Sequence, residues 1–481
     1  SYFIFIGKDE CEVDFAGGIN SFRLNSVGFN ISGNLSNITG KIYAVVVDKD
    51  VNLFSPEEIV ALPNVQIFNF NAEKISFNFE ADNSLDNGYK VYYMISDRVG
   101  KHFSNLYTKT INSEKISTHQ EFYDLAQGVT VSDSSTVYNL QNDLDFKDFT
   151  WTDTAKPAAF RGTFNGNGHT ISNLTVVTEV QKNGNVFYKL EDGTIMNVAF
   201  RNVSITNNNA SAKLVGIIGA MEGGFVSSVD MENITSVGTS GSSTAVGALI
   251  GQIIGGVNHI DHITLINDDK QLIKAGNKYV GGVVGNIQMD TGRTVAEAYI
   301  SYVVVKADFG DGLDSGGCIG GVVGRIKNDK KEYILQVNNC YYLGTITTGG
   351  NYNAGIVGSI ESGAGSYDIS NNFADVKFIY CKGDRLELDA TKVDLETEYQ
   401  PYAHKNCNPI CGRATTLSTD ILGTNNAGSW EEYYSSTISS FSFYFLYGPD
   451  YVPTAGFYKS FCDWDVENDW LIAEDGTVSL R

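Results

Sequence analysis

The chain is poor in proline, histidine, tryptophan and positive charge. Its 481 residues include seven prolines, six histidines and four tryptophans, and 34 Lys and Arg face 56 Asp and Glu. The formal net charge of −22 repels phosphates, which excludes nucleic acid as a partner and disfavours an anionic membrane surface. No apolar run approaches the ~18 residues that a membrane-spanning helix needs. The longest such stretches, near 214–221 and 246–254, are cut by glycines, so membrane insertion is not expected. Cys-x-x-Cys pairs are lacking and histidine is too sparse for zinc sites of the usual spacing. Gly-x-Ser-x-Gly, His-Glu-x-x-His and phosphate-binding loop motifs are absent as well. No leader segment is visible, and a start at Ser1 suits a processed product.

What is plentiful points to strands and turns. The chain has 50 Gly, 26 Tyr and 27 Phe, with abundant Asn, Thr and Val. Residues 1–112 carry short alternating runs, KIYAVVV at 41–47, KISFNF at 74–79 and YKVYYMI at 89–95, with the period near two of half-buried sandwich strands. Residues 113–481 are richer in glycine and repeat themselves. The core reads VGIIG at 215–219, GALIG at 247–251, GGVVG at 281–285 and 320–324, and AGIVG at 354–358. The closing glycines Gly219, Gly251, Gly285, Gly324 and Gly358 stand 32, 34, 39 and 34 residues apart. A second apolar strand follows each core. Helical repeats of this length need amphipathic helices, and a propeller blade needs four strands and more residues. Stacked coils of a right-handed parallel β-helix fit, with the glycines at tight corners or close backbone approaches. The expected fold is therefore all-β: an N-terminal sandwich over 1–112, then a β-helix with its core at about 130–380.

These segments resemble known families. LDNGYKVYYMISDRVG at 85–100 is similar to the C-terminal strands of fibronectin type III-like domains. The glycine cores resemble the GLUG repeats of surface proteins, and TVYNLQNDLD at 136–145, Trp151 and FRGTFNGNGHTISNL at 160–174 resemble the entry coil of that β-helix family. Trp464–Asp465–Val466, Trp470–Leu471–Ile472 and Leu480–Arg481 resemble its closing coil, expected at 459–481. Residues from about 382 to 458 fall outside the pattern and read as an irregular insertion. The resemblance implies an extracellular, cell-surface protein of adhesin type, not an enzyme.

Fragments of carbohydrate-enzyme chemistry exist but do not assemble. Asp268–Asp269 is a paired carboxylate, Gly168–His169 one element of a hydrolase set, and Arg325–Ile326–Lys327 a basic pair. His169 precedes Asp268 by about three repeats, too far to share one sugar ring. Asp143, Asp145 and Asp148 form a carboxylate trio better placed as turn residues, and calcium is the one metal such turns invite. A polysaccharide lyase or hydrolase and a glycan-binding module with Tyr and Phe rows are the alternatives.

Cys318, Cys340, Cys381, Cys407, Cys411 and Cys462 are candidates for disulfides in an extracellular protein, and with Cys11 the count is odd. Sequons at Asn30, Asn34, Asn37, Asn173, Asn202, Asn209 and Asn233 are candidate glycosylation sites, as frequent as this composition gives by chance. The run SYFIFI at 1–6 could add to a neighbour's sheet edge, so the expected partners are further copies of the chain in a filament, other surface proteins, or glycans.

Overall fold

The computed structural model describes residues 26–34, 40–70, 74–82, 88–101, 103, 106–153, 157–179, 183–208, 214–238, 245–267, 273–275, 279–289, 296–309, 317–327, 333–348, 352–361, 366–380, 407–408, 410–412, 426–429, 443–445 and 452–481. Strands dominate it. In the N-terminal part Ser26–Asn34 pairs antiparallel with Lys74–Asp82. Gly40–Asp48 lies between Gln66–Phe70 and Gly88–Asp97, also antiparallel. Tyr43, Val45, Ile59, Tyr92 and Met94 form a small core there. Ile59 comes from the short helix Pro56–Val60, which starts sharply because Ser55 and Glu58 make a capping box behind Pro56.

The expected boundary at 112 falls inside a strand. Tyr107–Ile116 pairs antiparallel with Gly88–Asp97 at one end and parallel with Thr136–Leu140 at the other, and Asn112 partners both Gly88 and Thr136. One sheet thus runs from the N-terminal part into the repeats.

From there on every main ladder is parallel, and each repeat lies directly on the one before. Phe187 pairs with Ile218, Ile218 with Ile250, Ile250 with Val284, Val284 with Val323 and Val323 with Val357, offsets of 31, 32, 34, 39 and 34 residues. Each repeat, or rung, contributes three ladder segments. In one rung these are Tyr279–Gly281, Val284–Gln288 and Ala296–Lys306. Inward side chains stack in columns. Ile195, Val226, Ile260, Ile300, Val337 and Ile369 follow one another across the long ladder, all fully buried. Such columns give one continuous core in which each rung contacts its neighbours.

The glycines bring backbones together. A Cβ on Gly251 would lie 2.7 Å from Gly219 O, on Gly285 2.8 Å from Gly251 O, on Gly324 2.5 Å from Gly285 O and on Gly358 2.5 Å from Gly324 O. The five glycines therefore form a column along the stack, and the requirement is space, since their φ angles lie outside the left-handed region. Gly247, Gly281 and Gly320 form a second column, where Ala354 stands one rung later.

Two parts of the chain behave differently from the sequence expectation. Residues 382–458, read as an insertion, carry the next rung. Cys407–Asn408 pairs with Asn353 and Ala354, Val357 N donates to Ile410 O, and Asn426–Ser429 pairs with 373–375. Gly412 continues the glycine column, its Cβ position 2.6 Å from Gly358 O. Residues 459–481, read as a closing coil, are not a rung. They follow a helix, Ala455–Phe461, into an antiparallel hairpin of Trp470–Ile472 with Val478–Leu480, and this unit lies against the outer surface of the long ladder.

The first end of the stack is closed by the helix His119–Ala126. Thr118 and Glu121 form its capping box, and Phe122, Leu125 and Ala126 face the core. Phe122 is fully buried and its ring meets those of Phe146, Phe164 and Phe187 at 5.4–5.8 Å. Tyr138, Trp151 and Phe160 of the entry-coil motif belong to the same cluster.

Candidate functional site

The outward side of the long ladder carries several titratable side chains close together in register. Register places Phe225, His259 and Tyr299 in one column. Their rings stack at 4.8 Å, with interplanar angles of 5° and 11°. The 4.8 Å step is the spacing between strands, so the stack is what parallel registry gives any column of planar side chains. Each ring covers the face of the next. Edges are left towards solvent, whereas sugar stacking needs a free face, so this column is a poor glycan platform.

Beside it, Ser227 Oγ donates to Asp261 Oδ1 at 2.7 Å and His262 Nδ1 lies 3.0 Å from the same oxygen. The carboxylate occupies the middle. A relay that activates a serine needs the imidazole in the middle, so this trio holds adjacent rungs together and does not build a nucleophile. The Tyr299 hydroxyl donates to Glu297 Oε2 at 2.7 Å, and burial followed by that carboxylate pushes its pKa up to about 12. His262 stacks on Tyr302 at 5.1 Å. Burial, then the Asp469 carboxylate, pushes the Tyr302 hydroxyl up to about 12.

Burial between two rings holds His259 below the ordinary imidazole value of 6.5, against the opposite pull of Asp261 and Glu297. Below that value the unfolded chain binds a proton that the folded chain resists, so this residue removes stability as pH falls through the range under 6.5. His259→Phe keeps the stack and removes the titration. Thermal melts between pH 7 and 5 should show a flatter pH dependence for the variant than for the native chain. Coincident slopes would refute the assignment.

No family model matches the chain. It is similar to halomucin of Haloquadratum walsbyi, 36% identical over 100 residues. That stretch is 21% of this chain and 1% of halomucin's length, so the chain spans a very small part of that relative. Among solved structures it is similar to a Bacteroides ovatus chain whose assignment as an immunoglobulin A1 protease is itself provisional. That similarity has a TM-score of 0.45 at 15% identity, and covers 77% of this chain and 92% of the other.

The remaining candidates are placed as follows. His169 sits in a turn after Gly168 (φ 78°), its Nδ1 3.2 Å from Asp143 Oδ1. Asp143 also accepts from Thr170 N, which holds its carboxyl below the usual range. Asp145 accepts from Asn173 Nδ2, and both aspartates serve the turn of the entry rung. Arg325 does not face solvent, as expected of an outward basic pair. It is 5% exposed, lies 4.0 Å from the Tyr279 ring centroid, donates to Gln288 Oε1 at 2.9 Å and approaches Glu361 at 3.7 Å. Neither His169 nor Arg325 meets the other. Asp268 and Asp269 lie outside the described residues.

The disulfide expectation is corrected for four cysteines. Cys318, Cys340, Cys411 and Cys462 are buried thiols. Cys340 and Cys411 fill inward columns in place of Val or Ile, and burial raises the Cys340 and Cys462 thiols well above the ordinary range. Cys11 and Cys381 lie outside the described residues, as does the side chain of Cys407.

Three sequons have a structural explanation. Asn173, Asn202 and Asn233 occupy one corner column with φ of 52–55°. Asn173 Nδ2 donates to Asp145 Oδ1, Asn202 Nδ2 to Asn173 Oδ1 and Asn233 Nδ2 to Asn202 Oδ1, at 2.9, 3.2 and 3.1 Å. Asn tolerates the left-handed corner. The next residue, Leu174, Val203 or Ile234, points into the core, and the Ser or Thr after it points out. Asn-Φ-Ser/Thr, with Φ apolar, is thus the signature of the corner. Asn202→Ala should cost about 1–2 kcal/mol, from the strained corner and the lost ladder bonds. Asn202→Gly should cost less, because only the bonds are lost. Equal losses in urea denaturation would contradict the corner argument. Asn37 and Asn209 lie outside the described residues, as do the side chains of Asn30 and Asn34.

Proposed function

We propose that this chain is a non-enzymatic, extracellular cell-surface protein whose repeats form a right-handed parallel β-helix of the GLUG kind, with a fibronectin type III-like module before it. The observation that carries the reading is the ladder itself. Among the described residues, the enzyme-like side chains Ser227, Asp261 and Arg325 bond between rungs, and His262 bonds its neighbour Asp261. A parallel crossover of this length favours the right hand. The partial similarity to halomucin supports a surface setting. The apolar, β-prone SYFIFI segment at 1–6, which lies outside the described residues, suits head-to-tail assembly of copies into a filament, or attachment to other surface proteins or glycans.

The test is labelling of intact source cells with a membrane-impermeant biotin reagent, followed by sedimentation of the purified chain. Labelling and concentration-dependent assembly are expected, with assembly lost on deletion of residues 1–6. An unlabelled, intracellular protein would sink the surface reading. A monomer at every concentration would sink the filament. Product release from pectin, alginate or glycosaminoglycan would favour the enzyme alternative.

A further inference from the structure

Residues 452–481 lie across the rungs. Most of the stack is held only by contacts between one rung and the next, which lets an end open rung by rung. Here a single short unit touches several rungs at once. The outward column beneath it runs Val304, Tyr341, Phe373 and Ala427, one residue from each of four successive rungs. The same column in earlier rungs is polar, with Asp230 and Thr264. The change to apolar residues coincides with the cover.

The contacts are specific as well as apolar. The Tyr458 ring packs edge-on against Phe373 at 5.1 Å and stacks on Trp464 at 4.6 Å, and Trp464 stacks on Trp470 at 4.0 Å. Trp464 lies 6.4 Å from Tyr341, and Trp470 6.5 Å from Tyr302 on the rung of Val304. Trp464 Nε1 donates to Asn371 O at 2.8 Å, which ties the indole to the corner of the Phe373 rung. Arg481 donates to Trp470 O and Val466 O, closing the hairpin on itself. Trp464 and Trp470 are 2% and 0% exposed, although neither belongs to the stack interior.

We infer that residues 452–481 form a lateral clasp that locks four successive rungs, from Ala296–Lys306 to Asn426–Ser429, into one cooperative unit. Releasing any one of them requires opening the aromatic cluster that all four share. The strand Ile250–Ile266 meets the clasp only at its edge, through Val478–Leu480, and rungs before 250 should open independently. The inference rests on packing alone and holds wherever the protein resides.

Hydrogen exchange measured by mass spectrometry on the full chain tests it. In the native chain, amides of 296–306, 334–343 and 366–376 should share one opening free energy with 455–461. In Trp464→Ala, protection in all four segments should fall together by about tenfold or more, while 194–205 and 225–234 keep theirs. The milder Trp470→Phe should give the same pattern at smaller amplitude, and it decides the matter if Trp464→Ala does not fold. Loss of protection at 455–461 with 296–306, 334–343 and 366–376 unchanged would overturn the clasp. So would loss that spreads equally to 194–205 in Trp470→Phe, because the unit would then be the whole stack.

Discussion

Phe122→Ala is expected to lower the stability of the stack by about 3–5 kcal/mol, the range for truncating a fully buried aromatic residue. The helix His119–Ala126 covers the first rung, and Phe122 is its main contribution, surrounded by Phe146, Phe164, Phe187 and Trp151. Little can move in to refill the space, because those rings are fixed by ladder registry on one side and by Leu125 and Ala126 on the other. The cavity should stay open, which places the cost high in that range. Denaturant melts of the variant should show the loss directly. The Trp151 environment should respond before rungs beyond 225, since unfolding would now begin at the capped end. A loss under about 1 kcal/mol would mean that the helix only decorates the end.

Much of the stack was legible in the sequence, because parallel registry turns structural equivalence into a period. The five closing glycines announced a column at which two backbones meet, and the apolar positions after each core announced the inward columns. The segment read as the entry coil does form the first rung, and its Tyr138, Trp151, Phe160 and Phe164 are buried there.

What was missed follows from physics that spacing does not record. The rung at 407–429 has the core Ile410–Cys411–Gly412, which matches Ile356–Val357–Gly358. Its glycine stands 54 residues after Gly358, because loop length varies freely between rungs at little energetic cost. Trp464 and Trp470 looked like strand residues of a closing coil, since an aromatic residue that packs sideways has the same local pattern as one that packs inward. The signal that could have separated the two is the outward column Val304, Tyr341, Phe373, apolar where Asp230 and Thr264 are polar. The Phe225–His259–Tyr299 stack depends on knowing that offsets of 34 and 40 residues are both in register. The cysteines were read through their oxidation chemistry, whereas in Cys340 and Cys411 the stack uses a small apolar side chain. The sequons were read as addresses for sugar, whereas in Asn173, Asn202 and Asn233 the stack uses a corner.

Gly324→Val should cost about 3 kcal/mol or more, at or above the upper end of the usual penalty for overpacking. The reason is the nature of the obstacle. A Cβ at this position would stand 2.5 Å from Gly285 O and 2.6 Å from Val280 O, and both are main-chain atoms held in ladders. A side chain could rotate away, but these carbonyls can move only by pulling a rung out of register. Ala354 offers a comparison. It stands one rung after Gly320 in the neighbouring glycine column, so that column accepts a methyl group in at least one rung. The column of Gly324 has glycine in six successive places, from Gly219 to Gly412, and only Tyr188, one rung before Gly219, carries a side chain there among the described residues. Gly324→Ala should therefore already be strongly destabilising, and Ala354→Gly should cost only about 0.5–1 kcal/mol of backbone entropy. Thermal melts of the three variants should rank them with Gly324→Val lowest, Gly324→Ala next and Ala354→Gly closest to the native chain. If Gly324→Ala melts with Ala354→Gly, the seam has room for side chains, and close backbone contact is not why glycine recurs there.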